Sequence, residues 1–169
     1  MTTSPAEIST APPRALRTIA WAGLIAGILD ISSAFILWGR RGIGPTRGLQ
    51  IIATGILGPA SYDGGLASAG LGLAAHFLIA FTAATLFYAA SRKLHFLTKR
   101  ALVTGLAYGV AIYIFMNCVV LPLAAFKPKY TVSSVATGVL ILMFLVGLPI
   151  ALIVRKLSPP QPEQNISHD

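Results

Sequence analysis

Four polar side chains stand inside long apolar runs: Asp30, His76, Asn117 and Thr137. A carboxylate at mid-bilayer costs about 2.5–3.5 kcal/mol on insertion scales, so Asp30 must face a packed bundle or a wet cavity. Counted at ~1.5 Å per residue from the same end of each run, Asp30 lies roughly 18 Å in and His76 roughly 21 Å. Asn117 and Thr137 fall at roughly 24 and 25 Å. Asp30, His76 and Asn117 are therefore expected to converge inside a helix bundle, with Thr137 nearby. A paired aspartate and histidine can pass a proton, because both titrate near neutral pH when their surroundings shift them. The same groups can instead hydrogen-bond and hold the helices in register. Ser32 and Ser33 add hydroxyls beside Asp30.

The elements that must carry these groups are four apolar runs, residues 18–39, 65–90, 101–126 and 130–154, each 22 to 26 residues long. About 20 helical residues cross a hydrocarbon core of about 30 Å, and lipid leaves no partner for an unpaired backbone group. The expected fold class is therefore all-α: a polytopic membrane protein with four transmembrane helices. The chain has 169 residues, of which only 11% are charged, so too little remains for a separate soluble domain. One membrane domain, residues 14–157, is expected between disordered tails at 1–13 and 158–169, both polar and proline-bearing. The first run follows Arg14 and Arg17 as a signal peptide would, but it is too long for a signal core and contains Asp30. It is expected to be a retained span.

The formal charge is +8, from thirteen Lys and Arg against five acids. The basic residues cluster at the ends of the runs, where they anchor helices at headgroups. Nucleic-acid binding is accordingly not expected; the implied partner is the lipid bilayer. With both termini cytoplasmic, eight Lys and Arg fall inside and five outside, the bias of the positive-inside rule. Trp21, Trp38, Tyr62, Tyr88 and Tyr130 lie near the run ends, as an aromatic belt would.

Between the first two runs, residues 40–64 predict a short helix opened by Pro45 and closed by Gly58-Pro59. Leu49, Ile52 and Ile56 would form its apolar stripe. At about 13 residues it is too short to span, so it either lies in the interface or re-enters the bilayer. Pro122 and Pro149 are expected to shape the third and fourth spans.

Gly23 and Gly27, and Gly105 and Gly109, have GxxxG spacing, which places both small residues of a pair on one helix face. These faces serve either tight packing within the chain or contact with a second copy or another membrane protein. Cys118 is the single cysteine and is expected to pack. No metal-ligand spacing, phosphate-binding loop or hydrolase motif occurs, so no metal, cofactor or catalytic residue is predicted.

The chain resembles the YagU-like family of small bacterial membrane proteins. The resembling pieces are GLIAG at 23–27, His76, GLAYG at 105–109 running into Leu121-Pro122-Leu123, and the closing GLPIALIVRK. Together they touch all four runs. The resemblance implies a bacterial inner-membrane location and an association with acid tolerance, and it transfers no site residues. The leading functional expectation is a small accessory or scaffold membrane protein acting through its glycine faces. The alternative is an oligomeric transporter or proton-handling protein built on Asp30, His76 and Asn117.

Overall fold

The computed structural model of the protein describes residues 13–123 and 131–158. The expected disordered tails, apart from Pro13 and Ser158, and residues 124–130, which include the end of the expected third span, the turn expected at 127–129 and the first residue of the expected fourth span, lie outside the described residues. The described chain is helical, with no strand. Four of its helices are long and apolar enough to cross a membrane: Arg14–Gly39, Gly65–Lys93, Ala101–Val120 and Val132–Leu157. A short helix, Pro45–Leu57, stands between the first two, and one turn, Phe96–Lys99, stands between the second and third.

The long helices overrun the apolar runs at their basic ends. The first begins at Pro13 rather than Thr18, the second continues to Lys93, and the fourth continues to Leu157. Arg14, Arg17, Arg92, Lys93, Arg155 and Lys156 are thus helical. Long Lys and Arg side chains carry their charge away from the helix axis, so a helix can continue past its apolar stretch. The fourth helix opens with a capping box: Ser134 N donates to Thr131 Oγ1 at 3.2 Å, and Thr131 N donates to Ser134 Oγ at 2.8 Å.

Pro122 and Pro149 each follow a π-helical turn, Met116–Val120 and Leu142–Gly147 respectively. Proline has no N–H, and its ring crowds the carbonyl four residues back. Widening the preceding turn accommodates both, so the chain continues as helix instead of breaking.

The first long helix packs against the second and the fourth, and the third packs against the fourth. Their common core lies toward the end that carries Arg92 and Arg100. It joins Ala22 and Ala26, Ala83, Ala84 and Phe87, Ala101, and Val146, Ile150, Ala151 and Val154. Small residues dominate this interior, while Leu16, Ile28, Ile36, Leu66, Leu78, Leu86, Leu102 and Val103 are exposed. That is the reverse of a water-soluble bundle, in which large aliphatic side chains drive burial.

The glycine faces are used inside the chain. A Cβ at Gly23 would meet the Phe81 ring, and one at Gly27 would fall 2.7 Å from Phe77 Cε1. Gly105 and Gly109 lie against the fourth helix at Gly147, Leu148, Leu142 and Met143. The absent side chains let these backbones approach closely.

The short helix packs on the second long helix and, less extensively, on the first. Gly58 ends it with φ 60°, a conformation glycine adopts without cost. Its orientation differs from that expected of an apolar stripe. Gly48, Gln50, Ala53 and Thr54 are buried, whereas Ile56 is 60% exposed. Close backbone contact decides this. Gly48 sits under the Trp38 ring, and Gly72 of the second long helix sits against the Leu49 carbonyl and Ala53 N. A helix so placed turns its small and polar side inward and Ile56 outward.

Candidate functional site

The first and second long helices run antiparallel in contact, with Gly27 opposite Phe77 and Ala80. This register brings Asp30, one turn beyond Gly27, next to His76. Asp30 Oδ2 and His76 Nδ1 are 4.0 Å apart, and the side chains are 28% and 12% exposed respectively. The separation is in ion-pair range and about 1 Å beyond a hydrogen bond. The other ring nitrogen, Nε2, is 3.0 Å from the Gly27 carbonyl oxygen. Phe77 meets the imidazole edge-on, with ring centroids 5.4 Å apart.

This geometry fixes the proton inventory. A carbonyl oxygen only accepts, so Nε2 carries the hydrogen in that bond. In a neutral ring Nδ1 is then an acceptor, and it faces a carboxylate, which is also an acceptor when ionised. A proton on either group would turn this opposition into a donor–acceptor contact. Ser33 Oγ donates to the Asp30 backbone carbonyl at 2.7 Å, and Ser32 Oγ donates to Ile28 O at 2.6 Å. Both serine hydroxyls thus satisfy backbone within their own helix.

Asn117 and Thr137 lie in the other helix pair. Asn117 Nδ2 donates to Tyr113 O at 2.8 Å, one turn back in the same helix. The Tyr113 ring covers Gly138, the neighbour of Thr137, and Thr137 itself is exposed. The four polar groups of similar depth thus divide between two helix pairs. Depth along a helix is set by residue count alone. Azimuth is not, because each residue turns about 100° and the packing partner selects which face is inward.

A second polar assembly is not visible from residue spacing. Gln50, Ser61 and Ser68 are all buried. Gln50 Nε2 donates to Gly65 O at 3.1 Å and lies 3.4 Å from Ser68 Oγ. Ser61 Oγ donates to Gln50 O at 3.0 Å, and Ser68 Oγ donates to Ser61 O at 2.6 Å. These bonds tie the short helix, the 3₁₀ turn Gly58–Tyr62 and the start of the second long helix into one unit. Arg47 stacks on the outer side of this unit, its guanidinium carbon 3.6 Å from the Tyr62 ring centre. The signal available in the sequence was Gln50, a lone amide inside an otherwise apolar and small-residue helix. Gln50→Leu removes the amide that donates to the Gly65 carbonyl and lies against the buried Ser68 hydroxyl, a loss of about 1 kcal/mol. Limited proteolysis within residues 40–64 is expected to accelerate in that variant; an unchanged cleavage rate would show that the clamp does not hold the short helix.

Among the described residues, no three His, Cys, Asp or Glu side chains are placed to hold a metal ion. Comparison with protein-family models, with curated proteins and with solved structures finds no match to this chain.

Proposed function

We propose that the protein is a multi-pass membrane protein that handles protons at the Asp30–His76 pair. The observation that carries this reading is the juxtaposition of the two titratable side chains across the first and second long helices, with Nε2 committed to Gly27 O. In this reading a proton passes between the two, since an approach of about 1 Å brings Oδ2 and Nδ1 to hydrogen-bond distance. Asp30 is the more exposed partner, so it exchanges with the surroundings and His76 is the inner relay. Ser68 lies eight residues before His76 on the second long helix, about 12 Å along it.

The outward-facing leucines and isoleucines and the small-residue interior support embedding in lipid. In the same reading the short helix lies at the interface with Ile56 toward lipid. Both termini are cytoplasmic by the excess of Lys and Arg at that end, and the YagU-like resemblance supports a bacterial inner membrane. A scaffold acting through its glycine faces has less support, because Gly23, Gly27, Gly105 and Gly109 face helices of the same chain.

The test is proton flux into proteoliposomes driven by a pH step, for the unmodified protein, Asp30→Asn and His76→Gln. Flux is expected in the unmodified protein and to fall to background in both variants. Equal flux in all three, or none in a folded unmodified protein, would overturn the reading.

A further inference from the structure

The end of the bundle carrying Arg92 and Arg100 has a groove that none of the preceding argument uses. It lies between the first and fourth long helices, has a volume of about 250 Å³, and is lined by Arg17, Trp21, Ile25, Ile153, Lys156 and Leu157. Arg17, Trp21 and Ile25 are spaced i, i+4, i+8, so they form one stripe along the first helix. Ile153, Lys156 and Leu157 form the facing stripe at the end of the fourth. The groove is therefore graded. Two cations stand at its mouth, an indole stands just inside, and aliphatic side chains continue inward. From Arg17 to Ile25 the stripe covers eight residues, about 12 Å, close to the roughly 15 Å depth of half a hydrocarbon core.

Among the described residues, no acid lies beside these cations. Among the described residues, Asp30–His76 is the one ion pair, and Asp30 and Asp63 are the acids. Asp30 is more than three turns from Arg17, and Asp63 is at the opposite end of the bundle. Arg17 and Lys156 are exposed, with no described acid facing them, and Trp21, 49% exposed, occupies the depth favoured by interfacial indoles.

We infer that this groove binds one anionic phospholipid, with its phosphate between Arg17 and Lys156 and an acyl chain along Trp21, Ile25 and Ile153. A zwitterionic lipid would fit the apolar stripe but brings its own cation to a mouth already holding two. A soluble anion would meet the charges but leave the stripe empty. The groove matches an amphiphile in both respects, and basic pockets between helices at the cytoplasmic face are the general setting for anionic headgroups. The inference rests on membrane embedding and is independent of the Asp30–His76 reading.

The experiment is native mass spectrometry of the detergent-purified full chain, titrated with phosphatidylglycerol or with phosphatidylcholine of the same chains. Each cation near the surface contributes a factor of about five, and the pair about thirty. The unmodified protein is expected to retain one phosphatidylglycerol with about thirtyfold preference, and R17Q/K156Q to lose that preference. R40Q/R41Q, which removes as much charge from the opposite end, is expected to keep it. I25W, which narrows the apolar stripe without touching the charges, is expected to weaken both lipids alike. Three results would overturn the assignment: unchanged preference in R17Q/K156Q, equal loss in R40Q/R41Q, or displacement of the lipid by equimolar inorganic phosphate. A chain washed from the membrane by alkaline extraction would refute embedding itself; a chain that stays but shows no preference refutes only the lipid site.

Discussion

Gly147→Leu is expected to separate the third and fourth long helices. A Cβ at this position would fall on the Gly105 carbonyl oxygen and lie 2.5 Å from Gly109 N and 2.8 Å from Gly109 Cα. The obstacle is backbone on the facing helix, which cannot rotate away as a side-chain tip can. Overpacking a close contact costs typically 1–3 kcal/mol. A leucine set against main chain belongs at the top of that range, about 3 kcal/mol. The core residues Val146, Ile150 and Ala151 belong to the same contact, so the loss is not confined to one turn. Gly55→Leu is the matched control, because nothing lies within 4 Å of a Cβ there. Denaturant unfolding in mixed micelles should show a large drop for Gly147→Leu and little change for Gly55→Leu. Similar stability of the two variants would mean that the third and fourth helices do not meet at these glycines.

The second large effect is expected at the proton pair, and it is a coupling rather than a simple loss. Asp30→Asn keeps the shape but lacks a group that can both hold and release a proton. His76→Gln keeps an amide donor for Gly27 O but removes the second titratable nitrogen. Each single variant leaves its partner facing a group of altered charge or donor pattern, a penalty of about 1–3 kcal/mol for a buried polar group. Once one partner is gone, removing the other costs much less. A double-mutant cycle on stability should therefore return an interaction energy of about 1–2 kcal/mol, within the span seen for residues in contact. Additivity within about 0.5 kcal/mol, the behaviour of distant sites, would show that the two side chains are not in contact. This measurement is separate from flux. A coupled pair without flux would leave a register lock across the two helices; flux with no coupling would place the proton path elsewhere.

The short helix shows how sequence pattern and packing can part. Leu49, Ile52 and Ile56 mark a stripe by spacing, yet Ile56 lies outward and Gln50 inward. In water an apolar stripe points to the core because burial removes it from solvent. Where the surroundings are themselves apolar, that force is absent between helices, and close fit and hydrogen bonding decide orientation. Gly48 against Trp38 and Gly72 against Leu49 and Ala53 supply the fit, and Gln50 with Ser61 and Ser68 supplies the bonds. The same logic explains the glycine pairs. Their spacing announces close approach but not the partner, and the partners here are Phe77 and Phe81 in one case and Gly147 in the other.

The sequence by itself determined the four long helices, the short helix between Pro45 and Leu57, and the position of each polar residue along its helix. Those properties follow from local quantities: run length, helix rise per residue, and proline and glycine punctuation. Only the tertiary structure decided which polar groups meet. Asp30 and His76 come together because Gly27 lets the first helix settle against Phe77 and Ala80. Asn117 and Thr137 belong to the pair that Gly105, Gly109 and Gly147 bring into backbone contact. The buried Gln50–Ser61–Ser68 clamp and the Arg17–Lys156 groove were likewise settled by packing. Each joins residues far apart in the chain, and rotation about a helix axis is chosen by the neighbouring backbone rather than by residue order.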